Sequence, residues 1–170
     1  MAFIFRPPGK TIFCEVYRDI FQRRHIMIEN DTIRLLRECD AGIRMGIESI
    51  GEVVDKAKSK GLRNILDSSK DGHEALLSET ETLLAKYGDD GKEPNLMAQS
   101  MSRLKTGARL TFDPYDESIA DLMTDGCNMG VKSLSRYLNQ YKAADEASKD
   151  LAKRVISEEL KLTEELRPFL

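Results

Sequence analysis

The stretch GIRMGIESI at residues 42–50 returns as GCNMGVKSL at residues 126–134. Gly130 follows Gly46 by 84 positions (130 − 46), and the pattern G-x-x-M-G, Ile or Val, x, Ser, Ile or Leu is kept in both. The same offset relates the residues around it. Leu36, Cys39, Ile43, Gly46, Ile50, Val53 and Ala57 recur at steps of three and four, one face of a long helix. Ala120, Met123, Cys127, Gly130, Leu134, Tyr137 and Tyr141 repeat that stripe 84 residues on. A repeat of this kind implies two copies of one supersecondary unit, and the flanking segments say which unit.

After each copy the chain breaks briefly and a second helical stripe begins. Ser59-Lys60-Gly61 stops the first helix, with Gly61 as its expected C-cap. Leu62, Leu66, Ser69, His73, Leu76, Thr80, Leu83 and Tyr87 then form the second stripe, which YGDDGKEPN ends. Ser148, Ala152, Val155, Glu159, Leu162, Leu166 and Phe169 form the matching stripe of a fourth helix starting near Asp145. Two long helices joined by so short a turn lie antiparallel, so each copy is a hairpin. Residues 89–113 join the hairpins, with a helix predicted over about residues 96–110. Asp113 and Pro114 have the cap and first-turn chemistry of a new helix start. The fold class is therefore all-α: an up-down four-helix bundle made of hairpin 31–88, crossover 89–113 and hairpin 114–170.

The first 30 residues differ. MAFIFRPPGK reads as a loose tail, and Ile12, Phe13, Val16, Tyr17, Ile20 and Phe21 then form a helical stripe of their own. Asn30 or Asp31 can cap a helix opening at Thr32, which makes residues 1–30 an N-terminal arm. The arm reads as a membrane-surface or partner-docking helix, as a helix packed on the domain, or as an extension upstream of a start at Met27.

Composition fits a bundle. The 170 residues are 41% hydrophobic and 32% charged with no Trp, so Leu, Ile, Val and Met must fill the core. A net charge of −3 argues against nucleic-acid binding, which needs a surplus of Lys and Arg on one face. Cys14, Cys39 and Cys127 are odd in number and lack C-x-x-C spacing, which points to a reducing, cytoplasmic setting without a disulfide framework or zinc site. No apolar run is long enough for a membrane span, and no secretory signal pattern opens the chain.

Mid-helix Gly costs about 1 kcal/mol against Ala, so Gly42, Gly46, Gly126 and Gly130 need a reason. Close helix packing is one, with Gly46 and Gly130 meeting near an internal two-fold axis; room for a ligand is the other. At the same height, the hairpin register places His73 level with Gly46 and Glu159 level with Gly130. Both are polar residues on apolar stripes, so a buried polar layer is predicted. A buried carboxylate needs a partner, and a His–Glu pair would serve. The alternative is a transition-metal site at His73 and Glu159, with Cys127 as a possible third ligand. No cofactor is expected on this reading.

The repeated hairpins, with LLRECDAGIRMGIESI, SSKDGHEALLSETETLL, the GKEP loop, MSRLKTGARLTFDP and DGCNMGVKSLSRYL, resemble the ferritin-like four-helix bundles over about residues 31–170. Within that superfamily the chain is most similar to an uncharacterised bacterial group associated with stress. Di-iron members supply a Glu from each of two helices and Glu-x-x-His from each of the others. Here Lys70 stands three before His73, the fourth helix reads Ile156-Ser157-Glu158-Glu159, and Gly46 and Gly130 occupy the heights of the other carboxylates. The resemblance thus implies the fold with a degenerate centre. It implies a non-enzymatic scaffold or interaction module in stress or dormancy physiology, with a protein partner or a second copy. Alternatives are a metal-binding or redox protein with a reduced site at His73 and Glu159, and membrane attachment through the arm. No P-loop or G-x-G-x-x-G occurs, and Cys127 with His73 is the sole nucleophile–base pair on offer. The basic cluster Lys56, Lys58, Lys60 and Arg63 fits a solvated helix end.

Overall fold

The structure, a computed structural model, describes residues 10–91 and 116–170, with side chains described from Gln22 onward. The expected tail over residues 1–9, the crossover helix at 96–110 and the Asp113–Pro114 cap lie outside the described residues. Among those described, every regular element is a helix: α1 (Lys10–Val53), α2 (Lys60–Ala85), α3 (Asp116–Gln140) and α4 (Glu146–Leu166). Short 3₁₀ turns follow α1 at Val54–Lys56 and α4 at Arg167–Phe169.

Two expected boundaries move. The first helix does not open at Thr32; α1 runs unbroken through Asn30 and Asp31 from Lys10. The capping groups there serve another turn. The Asp31 carboxylate accepts from the Ala143 amide at 3.0 Å, and the Thr32 hydroxyl accepts from the Asp145 amide at 2.8 Å. Gly61 is not a C-cap either. It lies in the first turn of α2, where the Ser59 hydroxyl accepts from the amides of Gly61 and Leu62. Gly88 does end a helix: at φ +66° it takes the left-handed conformation just beyond α2.

The bonds from Thr32 have a mirror in the other hairpin. Asp116, at the start of α3, accepts from the amides of Lys58 and Ser59 at 2.7 and 2.8 Å. Thr32 and Asp116 are 84 apart (116 − 32), and the two N-cap residues Ser59 and Asp145 are 86 apart (145 − 59). Each first helix thus closes the turn of the opposite hairpin, which is what an internal two-fold requires. It also sets directions. The start of α3 sits at the end of α1, and Thr32 sits at the end of α3, so the four helices run up, down, down, up.

The stripes find each other. Leu35, Leu36, Cys39, Ile43, Leu84, Leu134, Leu151 and Val155 form one core cluster. Ile50, Val53, Leu62, Leu66, Ile119, Met123, Cys127, Leu162 and Leu166 form a second toward the other end. In every helix the boundary between them falls at the same level: Gly46 between Ile43 and Ile50, Gly130 between Cys127 and Leu134, Glu159 between Val155 and Leu162, and His73 beyond Leu66. No described helix is long and apolar enough to cross a membrane.

Candidate functional site

The level that divides the core holds a polar layer. His73 and Glu159 are 1% and 8% exposed, and His73 Nε2 lies 3.4 Å from Glu159 Oε1. They are matched positions of the repeat, 86 apart (159 − 73), so their contact puts them beside the internal axis. Symmetry alone would set like against like there. The two matched positions instead hold a base facing an acid.

The surrounding bonds define the layer's chemistry. His73 Nδ1 lies 2.8 Å from the Ser69 carbonyl. A carbonyl only accepts, so Nδ1 carries a proton and Nε2 is the nitrogen turned to Glu159. Burial works against the imidazolium, but the hydrogen bond and charge of Glu159, helped by the Ser69 carbonyl and Glu158, outweigh it and raise the His73 pKa. Cys127 joins from α3. Its thiol is pushed well up, first by burial and then by the charge and hydrogen bond of Glu159, with Thr163 acting in the opposite direction. Cys39 is pushed up to about 12 by burial and by Glu38 and Asp40. Both thiols are therefore held in the unreactive protonated form.

The four glycines divide into two pairs. A Cβ built on Gly46 would stand 3.0 Å from His73 Cδ2 and 3.1 Å from Nε2, and one on Gly130 would stand 3.2 Å from Glu159 Oε1. The space beside each of these two glycines is taken by the side chain of its own hairpin, rather than by the other glycine. Gly42 and Gly126 would meet nothing within 4 Å. Close packing therefore does not explain Gly42 or Gly126, whose faces open outward.

Two arrangements escaped the reading of the sequence. Near the end of α2, Asp40 is buried, Arg44 Nε lies 3.1 Å from both of its oxygens, and Arg44 reaches on to Glu81 at 2.5 Å. Gly91, at φ +73°, passes so close that a Cβ would come within 3.0 Å of Asp40 Oδ2. Arg37 grips Asp89 at 2.6 Å and so fastens the segment after α2, while Arg44 ties α1 to α2 itself through Glu81. Their i,i+4 spacing in Asp40–Arg44 was visible, but an acid on a helix flank signals burial only when something covers it. Gly72 was also unmarked: its missing side chain admits Glu158, whose Oε1 would stand 2.9 Å from a Cβ.

Among the described residues no group of three or more His, Cys, Asp and Glu side chains is placed to hold a metal ion. No family model, curated protein or solved structure matches the chain.

Proposed function

We propose that the protein is a non-catalytic helical bundle of ferritin-like type, working as a scaffold or interaction module in stress or dormancy physiology. One observation carries the reading: the polar groups at the bundle centre are engaged with one another. Nδ1 of His73 is given to the Ser69 carbonyl, Nε2 faces Glu159, and the same carboxylate helps to hold the buried Cys127 thiol protonated. In a ferritin-like bundle a working centre would present carboxylates from the first and third helices, and here Gly46 and Gly130 leave that space to His73 and Glu159. Such a layer selects the register. A slip of either hairpin would leave a buried charge facing Leu, at a cost of several kcal/mol. The layer is thus a key that fixes how the halves meet, and the surface is left to make contacts.

A second reading is favoured by a specific fact: a buried imidazole and a buried carboxylate lie 3.4 Å apart, two donor types of a transition-metal site. A metal-binding or redox protein would use His73 and Glu159 as ligands. Elemental analysis of protein purified without a His-tag separates the two. The scaffold reading predicts no stoichiometric iron, zinc or manganese. Metal at one equivalent that vanishes in His73→Ala would replace it with the second.

A further inference from the structure

Where α2 meets α4 at the internal axis, two pairs of matched positions touch, and both pairs are unlike. His73 and Glu159 are one, an imidazole against a carboxylate. Gly72 and Glu158 are the other, also 86 apart (158 − 72). A Cβ on Gly72 would stand 2.9 Å from Glu158 Oε1 and 3.1 Å from its Cδ, so the acid of one hairpin fills the hollow left by the other. The remaining contacts of the seam discriminate weakly. Thr32 accepts from the Asp145 amide and Asp116 from the Ser59 amide, so at both ends an acceptor oxygen meets a backbone amide. The Arg154–Glu79 ion pair between the same helices is exposed and adds little to the choice. Apolar stripes of about the right size tolerate exchange of their members. Gly46 and Gly130 leave similar room beside positions 73 and 159, so chemistry rather than size distinguishes the two places.

We propose that Gly72, His73, Glu158 and Glu159 form a pairing code, by which a first hairpin accepts a second hairpin, of its own chain or of another copy, and rejects a hairpin of its own kind. The partner is a second copy of this chain, taken up by reciprocal exchange of hairpins through the seam. The proposal deepens the interaction-module reading above and rests on it. Any other pairing sets like against like. Two second hairpins would bring Glu158 against Glu158 and Glu159 against Glu159, four acids about one axis with no imidazole among them. Two first hairpins would bring His73 against His73 and leave the hollow at each Gly72 unfilled. An exchanged pair instead repeats both native contacts twice, and it closes at two copies. A chain whose halves each accepted their own kind would link head to head and tail to tail into open filaments, and the code forbids this.

Two full-length variants test the code. Gly72→Glu with His73→Glu gives the first hairpin the acids of the second. Glu158→Gly with Glu159→His gives the second hairpin the residues of the first. Each variant alone apposes like with like, and its urea midpoint is expected to fall. Unfolded in urea and refolded together at equal concentrations, the two are expected to form a complex of one copy of each, at twice 19.2 kDa by native mass spectrometry. That complex should exceed each homodimer by at least about tenfold, because like charges apposed across a buried contact strongly disfavour the wrong partner. Its urea midpoint should return toward that of the unmodified chain. A chain carrying all four changes restores both unlike contacts and should regain most of the midpoint without a partner. Homodimers and mixed dimer in random proportion overturn the proposal. So does a mixture that stays at the separate variants' midpoints with no mixed complex, and so does a four-change chain as unstable as the two-change ones. Stoichiometric metal in the unmodified chain would remove the scaffold reading and leave these pairing outcomes standing, so the two fail separately.

Discussion

Alanine at Gly42 and at Gly46 makes the sharpest test of the polar layer, because one motif should respond with opposite signs. Both residues lie inside α1, and each Gly→Ala change recovers about 1 kcal/mol of helix propensity. At Gly42 the methyl meets nothing within 4 Å, so the full gain should appear. Stability should rise by about 0.5–1 kcal/mol, a Tm increase of roughly 1–4 °C for a chain of this size. At Gly46 the methyl stands 3.0 Å from one ring atom of His73 and 3.1 Å from another. The ring is buried and anchored by Ser69, so it can retreat only by loosening Nδ1 from that carbonyl or Nε2 from Glu159. Overpacking of a core costs about 1–3 kcal/mol. Set against the propensity gain, the net change at Gly46 is a loss of about 1 kcal/mol. Urea titration followed by helical circular dichroism measures both. Repeating Gly46→Ala in a His73→Ala background removes the obstructing ring, and the methyl should then stabilise as it does at Gly42. Equal stabilisation by the two single changes would refute the account, since it would mean that His73 does not occupy the space beside Gly46.

Three further outcomes follow from the same geometry. Because the folded His73 pKa is raised, its contribution to stability is fully present below the ordinary imidazole range and is lost as pH rises through the folded pKa. Urea midpoints should fall across that neutral-to-alkaline interval, and His73→Gln should flatten that part of the profile. Asp116→Ala removes the acceptor of two turn amides and should cost about 1–3 kcal/mol, while Thr32→Val should weaken the opposite turn by about 1 kcal/mol; a loss under a few tenths at both would remove the two-fold capping argument. Cys39 and Cys127 should resist a thiol reagent in the native protein and react once urea unfolds it, with peptide mapping to distinguish them.

The polar layer was legible in the sequence because helical spacing and a short turn are local facts. Counting outward from residues 59–61 sets His73 level with Gly46 whatever the rest of the chain does. The same counting could not say that Gly46 faces an imidazole and Gly42 faces open space, since both satisfy the G-x-x-x-G spacing. The start of the first helix was misread for a related reason. Asp31 and Thr32 have cap chemistry, and side-chain oxygens of this kind accept any amide that reaches them. The amides that reach them belong to residues 143–145, more than a hundred positions away.

Sequence by itself determined the helices, their pairing into hairpins and the doubling of one unit, because apolar periodicity and turn chemistry act over a few residues and the repeat copies them. Tertiary structure alone decided which way the hairpins face, that Thr32 and Asp116 close each other's turns, and that His73 meets Glu159. These depend on contacts between residues far apart in the chain, and such contacts exist only once two hydrophobic faces have excluded water from between them.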